Sequence, residues 1–320
     1  FPEFRATAWV DVPETSILDS FPEGLVSWQK DELLADAFEG WMERRRVSRD
    51  TRPFFAFVLI DAPHQPYDNP GGPHAPAVES LDYIELGRTT EGPELRDLQV
   101  RVRNAYKNSV LHADVTAGRI LDALERSGYA DRTFTIVTGD HGEEFQENGS
   151  WFHCSTLKRE QTNVPIMIKW PSWMETPVPQ RQVSHLDVMP SLLDMLGLDG
   201  KFTATLSGNS VLREHPGETF ISTIHRGTSN VGVCLIKDGV KANFTFRGLW
   251  EGGVPDELSL ANYTNLDDQA ISFLSERGER SHTEFLRERY PLTTARFFRS
   301  FGDPAPQQEP EPMAPDVVAQ

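Results

Sequence analysis

Residues 138–153 read Thr-Gly-Asp-His-Gly-Glu-Glu-Phe-Gln-Glu-Asn-Gly-Ser-Trp-Phe-His, with the residue types and spacing that metal chemistry needs. Asp140 offers a hard anionic oxygen, and neutral His141 offers a borderline nitrogen. Together they suit Zn2+, Mn2+ or Mg2+. They suit Ca2+ less well, because calcium prefers an all-oxygen shell. Gly139 and Gly142 let the chain turn tightly, so that both side chains can address one ion. His153 follows His141 by twelve residues and can return to the same pocket. A plainer reading competes, since an Asp-His pair after a strand often hydrogen-bonds only its own turn. Glu143 and Glu144 are either partners of these groups or solvated acids. His64 lies between Pro63 and Pro66, in a loop where core packing is not expected, and is a second candidate. Lys158 could face the same pocket, although a lone lysine among charged neighbours is usually solvated. For His185, a capping or packing role is as good a reading as a catalytic one.

These residues need elements to hold them. The apolar run Phe54-Phe-Ala-Phe-Val-Leu-Ile60 does not alternate, which predicts a strand buried on both faces and ending at the His64 loop. Phe134–Thr138 is a second expected strand, delivering Asp140 and His141 just past its end. Val164–Trp170 is a third. Helices are expected over Asp31–Arg45, Glu94–Arg126 and Leu186–Leu196. The long one carries an apolar stripe of Leu98, Val102, Tyr106, Val110, Ala113, Ala117, Leu121 and Leu124. This alternation predicts an α/β domain: a doubly wound, mainly parallel sheet flanked by helices. Ligands in such sheets bind at the carboxyl ends of the strands. After Lys201 the texture changes to short strands at 219–224, 231–236 and 240–246, with Asp238-Gly239 as a hairpin turn. The expected organisation is therefore an α/β domain over 1–200, a small antiparallel subdomain over 201–300, and a disordered Pro/Glu tail over 301–320.

The chain has 320 residues, with 31 Lys and Arg against 48 Asp and Glu, a formal charge of −17. Such a surface argues against nucleic acid as a partner. The seven-residue apolar run falls far short of the roughly 20 residues that cross a bilayer. Cys154 and Cys234 allow one disulfide or two free thiols, and no zinc-binding cysteine pattern is present. Asn148, Asn243 and Asn262 head triplets that fit the glycosylation sequon.

Gly139-Asp-His-Gly-Glu143, Glu147-Asn-Gly149, His153 and Glu160-Gln-Thr-Asn-Val-Pro165 together resemble the alkaline-phosphatase superfamily, in its sulfatase and lipid phosphoethanolamine-transferase branches. Ser184–Gly197 is similar to the segment that follows in those enzymes, and Asp61–Tyr67 to their earlier His-bearing loop. The resemblance covers roughly residues 50–200. It implies metal-dependent hydrolysis of an anionic sulfate or phosphate ester, or its transfer to an acceptor, through a covalent intermediate. Asp140 and His141 would hold a divalent metal (Zn, Mn, Mg or Ca). His64 and His153 would contact the transferred group or the leaving oxygen, and Lys158 would bind substrate. Formylglycine sulfatases usually carry a Lys near the position of Phe152-His153, which tilts toward phosphate-type chemistry. The family also has an acidic ligand at the end of its first strand and a Cys, Ser or Thr nucleophile after it. Neither is recognisable here. Two readings follow: a C-terminal portion of a longer protein, favoured by the start at Phe1, or a non-catalytic relative that binds lipid. The first would place any membrane anchor in absent segments, with a periplasmic or extracellular location.

Overall fold

The computed structural model describes residues 21–175, 182–198, 206, 208–213, 218–224, 230–237, 239–247 and 258–271. The expected tail over 301–320 lies outside the described residues. Two compact units divide the chain: Phe1–Ile136 with Met167–Glu175, and Val137–Ile166 with Thr176–Gln320.

In the first unit, helix α1 (Ser27–Ser48) packs on helix α3 (Gly92–Arg126), with the short helix α2 (Tyr83–Arg88) before α3. Phe38 and Met42 of α1 join Ala123, Leu124 and Tyr129 in a core that Trp41, Phe54, Val58 and Ile120 flank. Arg45 turns inward from the last turn of α1. It ion-pairs with Asp50 at 3.0 Å and sits over the rings of Trp41, Phe54 and Tyr129. Its charge is thus held by a carboxylate and three aromatic faces rather than by water.

Helix α3 buries a stripe rotated from the one expected. Leu98, Val102 and Leu124 are inside, but so are Asn108, Ser109, His112 and Thr116, while Val110 and Leu121 are exposed. Asn108 and His112 go inside to meet backbone groups there. The Asn108 amide brackets His74, accepting from its N–H (3.1 Å) and donating to its carbonyl (3.0 Å). His112 Nε2 lies 3.2 Å from the Trp28 carbonyl. Gly72 runs so close to Asn108 that a Cβ would sit 2.3 Å from its Oδ1.

The run Phe54–Ile60 departs from expectation. It is extended but pairs with no strand among the described residues, and Phe55 (78%), Phe57 (77%) and Leu59 (63%) are exposed. A continuous apolar run is buried on both faces only where neighbouring strands flank it, and here none does.

Strands β1 (Thr135–Thr138) and β4 (Ile166–Lys169) form a two-stranded sheet. Between them in sequence come the hairpin of β2 (Glu144–Phe145) and β3 (Trp151–Phe152) and the single-turn helix α4 (Arg159–Thr162). Helix α5 (Val188–Met195) follows a 3-10 turn at His185–Asp187. The C-terminal part of the second unit is a four-stranded antiparallel meander: β5 (Glu218–Ile224), β6 (Asn230–Lys237), β7 (Val240–Arg247) and β8 (Leu258–Asn265). Lys237 pairs with Val240 across a two-residue turn in which Gly239 has φ 77°, as the Asp-Gly signal demands. No helix among the described residues is long and apolar enough to cross a membrane.

The cysteines are both free, Cys154 exposed and Cys234 buried. Burial pushes the Cys234 thiol up to about 12. Only thiolate alkylates, so iodoacetamide at pH 8 is expected to label Cys154 and spare Cys234 until urea unfolds the chain. Mass spectrometry of the labelled peptides checks this, and equal labelling of both in the native protein contradicts it.

Candidate active site

The second unit gathers the candidate residues of the 138–161 segment around a hairpin. Its register pairs Glu144 with Phe152 and Phe145 with Trp151. The next positions outward are Glu143 and His153, and the His153 Nδ1 meets Glu143 Oε1 in a short hydrogen bond. Side-chain exposure is 5% at Glu143 and 14% at His153, so this pair is largely withdrawn from solvent. The rings of His141 and His153 lie 3.9 Å apart, tilted by 31°. One ligand atom from each of His141, Glu143 and His153 falls within 4.8 Å of the others.

His153 is aimed by a tightly bent backbone. Phe152 (φ 70°) and Cys154 (φ 61°) on either side of it are both left-handed. Non-glycine residues hold that conformation at a cost, and only where the surroundings over-determine it. Those surroundings centre on Glu144, which is fully buried. Its carboxylate accepts from the N–H groups of Asn148 (2.9 Å) and Ser150 (3.2 Å), the Thr156 hydroxyl (3.2 Å) and the Gln161 amide (2.9 Å). Gln161 in turn accepts from the N–H groups of Ser155 (3.1 Å) and Thr156 (3.3 Å). Of the two readings open for Glu143 and Glu144, the solvated one does not hold, since both carboxylates are withdrawn from solvent and hydrogen-bonded.

Gly142 makes the crossing with α4. Its N–H donates to the Gln161 carbonyl at 2.9 Å, and a Cβ would stand 2.1 Å from the Glu160 carbonyl oxygen. Asp140 shows the plainer behaviour in part, since its Oδ1 accepts from the His141 N–H at 3.0 Å. Its other oxygen lies 3.6 Å from His141 Nε2, with the side chain 81% exposed. His141 Nδ1 is 3.0 Å from the Gly142 carbonyl, to which it donates. His185 Nε2 bonds the Gly139 carbonyl (2.8 Å) and lies 3.2 Å from the Thr138 hydroxyl, steadying the turn that presents Asp140.

Lys158 is half-buried and opens α4, its carbonyl accepting from Gln161 (3.0 Å) and Thr162 (3.1 Å). His64 belongs to the first unit. It is exposed in a turn closed by His64 N–H to Asp61 O (3.0 Å) and Tyr67 N–H to His64 O (2.9 Å), with its Nδ1 2.7 Å from the Gln65 carbonyl. Asp31 anchors that turn from below, its buried carboxylate accepting from the N–H groups of Asp61 and Ala62. Burial raises the Asp31 carboxyl above the usual range. Residue spacing had no means of finding Gln161 as a keystone, although it stands within the Glu160–Pro165 motif.

The donors fit a divalent cation. Two imidazoles and a carboxylate converge, and Asp140 stands beside them. The sulfatase family model matches residues 11–198, more than half of the chain. The chain belongs to the sulfatase family. Among curated sulfatases, it is 26% identical over 166 residues to an endo-4-O-sulfatase of Bacteroides thetaiotaomicron, covering 51% of this chain and 32% of that protein. It is 30% identical over 127 residues to a choline-sulfatase of Rhizobium meliloti (39% and 23%) and 24% identical over 217 residues to arylsulfatase K of Bos taurus (58% and 38%). The chain thus spans only about a quarter to two-fifths of these relatives' lengths. Among solved structures, the yidJ protein of Bacteroides fragilis matches 86% of the chain and 59% of its own length, with a TM-score of 0.59 at 15% identity. The phosphonate monoester hydrolase of Agrobacterium radiobacter matches 88% and 64%, with a TM-score of 0.54 at 15% identity. These likenesses show the α/β sulfatase fold.

Proposed function

We propose that the protein carrying this chain hydrolyses sulfate esters with the help of a divalent metal. The observation that carries the reading is the convergence of His141, Glu143 and His153 inside the segment matched to the sulfatase family. Asp140 and His141 would hold the cation. When bound, the cation neutralises charge on the transferred group and supplies the local positive charge that a chain at −17 lacks. His153, fixed by Glu143, can donate a proton to the leaving oxygen. Lys158 is assigned to binding the anionic group.

The test compares 4-nitrophenyl sulfate with 4-nitrophenyl phosphate, using protein expressed from its gene. Chelator-sensitive release from the sulfate ester is expected, falling at least about 100-fold in His141→Ala. Faster release from the phosphate ester would favour the phosphotransferase reading. No release from either ester by metal-loaded protein would overturn catalysis in favour of a ligand-binding role.

A further inference from the structure

We propose that the first unit carries a binding surface for sulfated polysaccharide around the 3-10 turn Ala130–Arg132, built from Trp173, Arg132, Lys169 and Arg52. It shares no residue with the candidate active site. The choice of a sulfated ligand rests on the sulfate-ester reading above, and the surface rests on its own geometry. Trp173 is 68% exposed, yet the turn that carries it is fixed. Trp170 is buried against Phe134, with 4.8 Å between ring centroids. The Ser172 N–H donates to the Asp131 carbonyl (2.7 Å), and the Met174 N–H to the Pro171 carbonyl (3.0 Å). An anchored turn therefore holds the indole out of the core. A flat apolar ring presented in this way is the surface on which the C–H face of a pyranose packs, at little cost in conformational freedom.

The cations around the same turn are likewise pre-set. Arg132 is exposed, but its guanidinium lies over the Tyr129 ring, 4.5 Å from the centroid. The Lys169 ammonium bonds the Ala130 carbonyl and lies 3.9 Å from the Asp131 carboxylate. The Tyr129 hydroxyl bonds the Asp50 carbonyl, and the Asp50 carboxylate is shared by Arg45 (3.0 Å) and Arg52 (2.7 Å). One carboxylate between two guanidiniums leaves a positive charge over, and Arg52, its side chain 79% exposed, brings that charge to the surface. Arg45, Arg49, Arg52, Arg132 and Lys169 thus stand against Asp50, Asp131 and Glu175, five cations to three acids. Over the whole chain the balance is reversed, 31 to 48. A local basic surface on an acidic protein selects a polyanion that meets it there and is repelled elsewhere. Guanidinium forks suit the oxygens of a sulfate group, and the indole between them suits the sugar that carries it. A DNA duplex stacks its bases inward and offers the indole no such face, so a glycan fits this surface better.

The experiment measures binding of the 320-residue chain to heparin, to desulfated heparin and to a DNA duplex, at about 50 mM salt. It compares wild type with Trp173→Ala, with the double variant Arg132→Gln/Lys169→Gln, and with Arg96→Gln, an exposed charge of α3 outside the surface. Heparin is expected to bind at least about tenfold more tightly than desulfated heparin or DNA. Trp173→Ala and the double variant should each weaken heparin about tenfold or more, and Arg96→Gln less than about twofold. All the replaced side chains are exposed, so the variants keep the fold. Raising the salt to about 200 mM should weaken wild type and Trp173→Ala alike, with a shallower dependence in the double variant. Three results each overturn the proposal: no heparin binding by wild type, equal binding by wild type and the surface variants, or DNA bound as tightly as heparin. Turnover of 4-nitrophenyl sulfate separates this surface from the catalytic reading. Turnover without heparin binding overturns the surface alone, and heparin binding lost in the variants but without turnover in wild type supports the surface and overturns catalysis.

Discussion

Replacing Glu144 with alanine is expected to lower unfolding stability by roughly 3–5 kcal/mol, because it strands several buried donors at once. The carboxylate is fully buried and accepts from Asn148 N–H, Ser150 N–H, the Thr156 hydroxyl and the Gln161 amide. Each donor left dry costs about 1–3 kcal/mol, and relaxation keeps the sum below the additive figure. Glu144→Gln keeps the shape but turns an amide N–H toward donors, so it should cost about half as much. Urea unfolding of wild type and both variants measures this. Amide hydrogen exchange at Asn148 and Ser150 should accelerate ahead of the global transition. A loss below about 1 kcal/mol for Glu144→Ala would show that water replaces the carboxylate, and that the knot does not hold the His153 segment.

Lys241→Met should cost about 3–5 kcal/mol, more than the double variant Lys241→Met/Asp268→Asn. Lys241 is almost fully buried in β7, and its ammonium contacts Asp268 Oδ1 at 2.5 Å and the Leu157 carbonyl at 2.8 Å. Asp268 Oδ2 also accepts from the Arg159 N–H at 2.7 Å, so this ion pair ties the meander to the start of α4. Removing the lysine alone leaves a buried carboxylate with its charge uncompensated, whereas removing both charges abolishes that penalty. Asparagine also tolerates the left-handed backbone at position 268, where φ is 62°. A double-mutant cycle by thermal unfolding gives the coupling directly. Additive losses, with the double variant the worst of the three, would mean that the pair is solvated and contributes little.

The helices and the C-terminal hairpin were legible in the sequence because period and turn chemistry are local properties. The Asp-Gly signal gave the β6–β7 turn directly, and Leu98, Val102 and Leu124 lie in the predicted stripe of α3. The rest of that stripe was misread because polarity hides burial. Asn108 and His112 go inside to meet His74 and Trp28 O, partners far away in sequence. The apolar run at 54–60 was readable as extended, but its burial depended on neighbours that the run itself cannot encode. At the candidate site, the motif singled out Asp140, His141 and His153. Glu143 could not be ranked above a solvated acid, because strands of two residues leave no period to read.

The β2–β3 hairpin makes Glu143 and His153 neighbours by counting rather than by chemistry. Residues 146–150 are therefore constrained in number more than in kind. Many substitutions in that turn leave the two donors opposite each other, whereas inserting or deleting a single residue shifts the register and sends one of them to the other face. Among sequences built on this hairpin, the length of the interval from Glu143 to His153 is a better criterion for a shared site than the identity of the residues inside it.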